Sequence, residues 1–185
     1  MKKKQAKAKP VRRAPKESTR LRLIGAAERL FAERGVGVST REISQAAGQS
    51  NKSVVAYHFG SRSDLVLAVA RHHAPDIEQR RVAMMAALEG RGTLADWLTC
   101  TVKPITDHLA ALGSPSWYAR FLAGAITDPG LREVVFEDAV SSPTMRTLFA
   151  EVNARLPALP PAVLNFLFAE RYKQDGTPLL VIGGS

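Results

Sequence analysis

Gly35, Gly48 and Gly60 punctuate the first third of this chain, and each closes or interrupts a short apolar pattern of helical period. Leu23, Ala27, Leu30 and Phe31 fall at i, i+4, i+7 and i+8, one face of a helix that Ser18 or Thr19 opens. Gly35 stands where a left-handed C-terminal cap belongs. Thr40, Ile43, Ala46 and Ala47 predict a second, short helix, capped by Ser39 or Thr40 and stopped at Gly48. A third covers about Asn51 to His58, with Val54 facing inward. Gly60-Ser61 breaks the chain again, and Ser61 or Ser63 opens a longer helix near Asp64. Three helices in so short a span, two of them joined by a glycine turn, predict a helix-turn-helix unit.

The remainder carries the same signature. Leu65 to His73 continues the fourth helix, and Pro75 either kinks it or opens a segment over 76–88. Leu94 to Leu112 is apolar-periodic around Pro104. Ser114-Pro115, Asp128-Pro129 and Ser142-Pro143 read as N-cap and first-turn proline pairs, opening helices over 117–126, 131–140 and 145–156. Pro160-Pro161 precedes a last apolar helix, Ala162 to Lys173, and the run 178–182 is short and ambiguous. The fold class is therefore all-α. Its expected divisions are a disordered basic arm (1–17), a helix-turn-helix domain (18–63), a helical effector and dimerisation domain (64–173) and an irregular tail (174–185).

Composition narrows the function classes. With 185 residues, 45% of them hydrophobic, the chain can bury a core. Its apolar runs are broken by charge before they reach the roughly 20 residues of a membrane span. No apolar stretch follows the basic N-terminus before Pro10, so it does not read as a secretory signal. A single cysteine, Cys100, excludes an internal disulfide framework and a cysteine-only zinc site. A cytoplasmic location with no membrane partner is the expectation. Residues 1–17 hold eight lysines and arginines against one acid, Glu17, so the formal net charge of +9 comes mostly from this arm. It reads either as a solvated leader or as a phosphate-seeking arm that releases counterions on nucleic acid.

Between Gly48 and Asp64 the chain holds amides, hydroxyls, a lysine, a tyrosine and a histidine, and no acid. In a helix-turn-helix the second helix lies in the major groove with its N-terminal residues at base edges. Ser50, Asn51, Lys52 and Ser53 then face bases: an amide pairs with adenine and a lysine reaches the guanine acceptors. Thr40, Tyr57, His58 and Arg62 are placed to grip phosphate oxygens, beside the amide donors of the fourth helix. Each residue also has a plain structural role open to it, as a cap, a solvated side chain or small-domain packing. Their co-occurrence on one acid-free stretch favours the double-stranded DNA reading.

The runs AAERLFAERG (26–35), STREISQAAG (39–48) and YHFGSRSDL (57–65) resemble the DNA-binding domain of the tetracycline-repressor (TetR) family. WYARFLAGAITDPGLRE (117–133) is similar, more weakly, to the C-terminal domains of some members. The resemblance implies a homodimeric transcriptional regulator, usually a repressor on a palindromic operator, whose helical C-terminal domain binds a small-molecule effector and dimerises. Two departures stand out. The span from Gly48 to Tyr57 is one residue longer than the commonest family pattern. Family members usually finish with two long helices that build the dimer interface, whereas here the helix expected over 162–173 runs into QDGTPLLVIGGS, so the expectation is that one of those two helices is shortened or missing.

Under the family logic Trp97, Cys100, His108, Trp117, Tyr118 and Phe121, with Met84, Met85, Leu88, Thr101 and Ile126, are candidates to line an effector cavity, although apolar residues at helical spacing are core first. Two other classes compete. An enzyme would draw on His72-His73 with Asp76, or on His108 with Asp107, but adjacent histidines point to different faces and no nucleophile elbow or phosphate loop accompanies them. Neither a cofactor nor a metal is expected. A non-specific architectural DNA binder driven by the arm would follow salt and ignore sequence.

Overall fold

The structure, a computed structural model, describes residues 15–156 apart from Lys52 and Pro115. The basic arm to Ala14, the helix expected over 162–173 and the tail lie outside the described residues. Within them the chain forms eight helices and no strand: α1 (Pro15–Arg34), α2 (Thr40–Ala46), α3 (Val54–Phe59), α4 (Arg62–Ala87), α5 (Leu94–Leu112), α6 (Trp117–Thr127), α7 (Arg132–Val140) and α8 (Pro143–Arg155).

Helix starts follow side-chain chemistry. Ser39 caps α2 in a reciprocal box: its Oγ accepts from the Glu42 N–H while Glu42 Oε2 accepts from the Ser39 N–H at 3.2 Å. The same device opens α4, where Ser61 exchanges hydrogen bonds with Asp64, and α5, where Thr93 does so with Asp96. In both pairs the carboxyl is held below its usual range, chiefly by the hydroxyl that donates to it. Gly35 and Gly48 take φ values of 83° and 70°, the left-handed geometry that turns the chain out of α1 and α2.

Helix α1 begins at Pro15 rather than at Ser18 or Thr19, inside the span expected as the basic arm, and three further boundaries differ from the sequence expectation. Helix α3 begins at Val54, because Asn51 Oδ1 accepts from the Ser53 N–H at 2.9 Å and holds the preceding residues in a turn. Helix α4 starts at Arg62 and runs through Pro75 as one element. Helix α6 is capped by Ser116, whose Oγ accepts from Ala119 N–H, rather than by Ser114.

The described chain divides into two compact units. The first contains α1 to α3, α4 as far as Pro75, and residues 109–138. Helix α1 packs against α2 and α6, and α2 against α3. The core centres on a run of rings: Phe31 of α1 stacks with Phe121 of α6 (6.1 Å between centroids), Phe121 with Tyr118 (6.2 Å), and Tyr118 with His73 of α4 (3.8 Å). The circuit returns to α1 through His73 Nε2, which lies 3.1 Å from Glu28 Oε2. Burial, with the Glu28 charge nearby, pushes the Tyr118 hydroxyl up to about 12. On the surface of the same unit Arg71 Nε donates to Asp138 Oδ1 at 2.9 Å.

The second unit contains Asp76–Ala87 of α4, α5 to His108, and residues from Ala139 through α8. Trp97, Cys100, Pro104 and His108 form the buried stripe of α5. Buried Arg81 pairs with Glu78, which also accepts from the Thr144 hydroxyl. Arg155, at the end of α8, lies 5.1 Å over the Trp97 ring and donates to the carbonyls of Gly90 and Gly92.

Phe121→Ala should cost about 3–5 kcal/mol of stability in urea denaturation followed by helical circular dichroism, because it empties the centre of the ring run. Phe121→Leu should recover much of that. Glu42 supplies a pH test. The Ser39 hydroxyl first, then Arg34 and the Ser39 N–H, lower its carboxyl from the ordinary 4.5 to about 2. A depressed carboxyl contributes stability that is complete above about 4.5 and lost as pH falls through about 2. Thermal melts over that window should therefore fall less steeply with acid for Glu42→Gln than for the parent.

Candidate nucleic-acid interface

The turn between α2 and α3 is fixed by backbone chemistry. Ala47 N–H donates to Ile43 O, Gly48 N–H to Gln45 O, and Gln49 N–H to Ser44 O at 2.9 Å. With Gly48 at positive φ, the last carbonyls of α2 are satisfied and the chain reverses toward α3. Val54, Val55 and Phe59 are buried on one side of α3, and Ile43 and Ser44 on one side of α2. The short helix is thus anchored by its apolar side, and its orientation is set.

What remains outside is the stretch singled out in the sequence. Ser50, Asn51, Ser53, Ala56 and Tyr57 are exposed, Tyr57 to 70%. Ser53, Ala56, Tyr57 and Gly60 recur at i, i+3, i+4 and i+7, so they share one side of the helix. Ser53 makes no side-chain cap bond at the start of α3. The Tyr57 ring meets the half-buried His58 edge-on, with 5.1 Å between centroids. Thr40, half-buried, is the first residue of α2, and its carbonyl accepts from the Ser44 hydroxyl. Lys52, the lysine expected at the bases, lies outside the described residues.

Two of the expected contact residues also have structural work. Asn51 Oδ1 holds the turn into α3. Arg62 is exposed, and its Nη1 donates 3.1 Å to the carbonyl of Val36, tying the start of α4 to the loop between α1 and α2. Phosphate gripping by Arg62 would draw on the guanidinium's other donors.

The surrounding acids are engaged in caps. Glu42 binds Ser39 and Arg34 (2.7 Å), and Asp64 binds Ser61. Both carboxylates thus sit at helix N-termini, where negative charge is favoured. Sequence reasoning missed two neighbours. Ala56 presents only a methyl group in the middle of the exposed side, where a long side chain would hold a docking surface away. Arg20 of α1 sits 5.2 Å over the ring of Phe59, which brings a cation to the end of α3. Only the small residue at helical spacing from Ser53 gave a signal for the first, and none pointed to the second.

The other candidate groups fall in both units. Tyr118 and Phe121 are core of the first unit, and Trp117, half-buried, lies beneath Arg120 at 6.0 Å. Trp97, Cys100 and His108 are buried in the second unit. Burial, and then the Asp96 charge, raise the Cys100 thiol. His73 faces Glu28 and Tyr118, His72 is exposed, and Asp76 Oδ2 lies 3.9 Å from His108 Nδ1. Among the described residues no three His, Cys, Asp or Glu side chains gather in a way that holds a metal ion, and no helix is long and apolar enough to cross a membrane.

Residues 23–69 match the family model described as bacterial regulatory proteins, tetR family. Over 55 residues the chain is 46% identical to the HTH-type transcriptional dual regulator CecR of Shigella flexneri, a match covering 30% of this chain and 24% of that protein. The matched segment thus spans about a quarter of the curated relative's length. Residues 23–69 contain most of α1, all of α2 and α3, and the start of α4, the elements that build the exposed face. Over this helix-turn-helix segment the chain resembles the TetR family of bacterial regulatory proteins.

Proposed function

We propose that the chain is a sequence-specific DNA-binding transcriptional regulator, a ligand-responsive repressor that acts as a homodimer on a palindromic operator. One observation carries this reading: the exposed side of α3 and the turn before it present hydroxyls, an amide and Tyr57, while the acids that flank this stretch in sequence, Glu42 and Asp64, are bound in helix caps. The turn and the start of α3 enter the major groove, where Asn51 and Lys52 read base edges beside Ser50 and Ser53. Thr40, Tyr57, His58 and Arg62 hold the flanking phosphates. A twofold dimer repeats this reading head one helical turn of DNA away, roughly 34 Å, or a multiple of it.

Helices beyond α4 supply the effector and dimer functions in this scheme. A small molecule releases DNA by favouring an arrangement in which the paired heads no longer match the groove spacing. It shifts that balance only by its difference in affinity for the two arrangements.

Selection of bound fragments from genomic DNA should recover an inverted repeat. On that duplex Tyr57→Ala should weaken binding to matched and scrambled sequences alike. Because Asn51 Oδ1 also holds the turn, Asn51→Ser is the cleaner base-reading test, since a hydroxyl can keep the turn while the amide donor is lost. It should narrow the gap between matched and scrambled duplexes by about 1–3 kcal/mol. Equal effects of both substitutions on all duplexes would remove the base-reading assignment. Affinity that follows salt and shows no sequence preference would replace the regulator with an architectural binder.

A further inference from the structure

Two donors buried in the second unit have nothing to donate to among the described residues: Arg81 Nε and Trp97 Nε1. Both side chains are enclosed, Arg81 with 4% and Trp97 with 3% of its surface exposed. Donors this deep are nearly always paired in a folded protein, and a charged one left without a partner is the costlier case. Arg81 is fixed through Nη1, which donates to Glu78 Oε1, and the other oxygen of Glu78 accepts from the Thr144 hydroxyl. Trp97 is fixed by its neighbours. The Arg155 guanidinium lies 5.1 Å over its ring, and a Cβ at Gly92 would come within 3.1 Å of Nε1.

The charges near these donors are already matched. Glu78 neutralises Arg81, and Glu151 pairs with Arg155. A further carboxylate would enter this buried region as an uncompensated charge, which is heavily penalised. An uncharged carbonyl oxygen offers lone pairs to the same donors and carries no such penalty. The same unit also buries apolar groups: Cys100 and Pro104 of α5, and Met145 and Leu148 of α8. Burial first and Asp96 second raise the Cys100 thiol, and the Arg81 charge opposes them, so the guanidinium lies near the turn of α5 that follows Trp97.

We propose that the second unit binds an uncharged, largely apolar small molecule through a carbonyl oxygen that accepts from Arg81 Nε, with Trp97 Nε1 as a second donor. As the chemistry of the effector, this rests on the regulator reading above; the binding itself does not.

Three probes of one shape, acetophenone, benzoate and isopropylbenzene, test it in proton–nitrogen correlation spectra of the full chain without DNA. The sequence holds two tryptophans, so Trp117→Phe assigns the Trp97 indole signal. Acetophenone should shift the Trp97 Nε1–H and Arg81 Nε–H signals saturably. It should bind about tenfold more tightly than isopropylbenzene, the worth of one good hydrogen bond, with benzoate weakest. Trp97→Phe keeps a ring beneath Arg155, and Arg81→Lys keeps a cation beside Glu78; each should weaken acetophenone about threefold or more. The Trp97 variant leaves the Arg81–Glu78 pair intact, so its result stands even if the Arg81 variant unfolds. Acetophenone affinity unchanged by Trp97→Phe would overturn the proposal, as would equal affinity for ketone and hydrocarbon or tightest binding of benzoate. So would the absence of a saturable shift with any probe, which would assign both donors to ordered water. Duplex binding is measured separately, so failure of the regulator reading and failure of this one are told apart.

Discussion

The ring circuit through Phe31, Phe121, Tyr118 and His73 is the constraint on which the first unit depends. It links α1, α6 and α4, and the His73–Glu28 hydrogen bond returns it to α1. Phe31 and Phe121 are almost completely buried, so neither ring moves without opening a cavity. Because α1 also packs against α2, the seating of α1 on α6 fixes the base from which the helix-turn-helix is presented. The polar face of α3 is then a consequence of packing on its other side.

Capping links that packing to electrostatics. The same Ser/Thr–carboxylate exchange opens α2, α4 and α5, satisfying N-terminal donors while fixing the carboxylates in place. Glu42 and Asp64 flank the exposed side in sequence, and both are held by hydroxyls and amides at helix starts.

Much of this was legible in the sequence because it is locally encoded. The 3.6-residue period of Leu23 to Phe31, the Ser39 cap and the glycines at positions 35 and 48 all act within a turn or two of themselves. The all-α class follows from such signals, as do the positions of α1, α2 and α8. Other features depend on particular side-chain choices. Asn51 keeps its own residue out of α3 by binding the Ser53 N–H, and Arg62 turns one donor toward Val36. Least legible is partnership at a distance. Periodicity marks Tyr118 and Phe121 as inward-facing, but it does not say that they meet His73 and Phe31 rather than the helices that follow them.

The claim at the centre of this account is that the turn after Gly48 and the exposed side of α3 meet DNA. Backbone amide shifts measured as a selected duplex is added to the full chain test it most directly. The account predicts the largest changes at Thr40, over residues 50–53 and at Tyr57 and His58, with the amides of α8 nearly still. Saturable binding that leaves those positions unmoved, while another surface shifts, would contradict it.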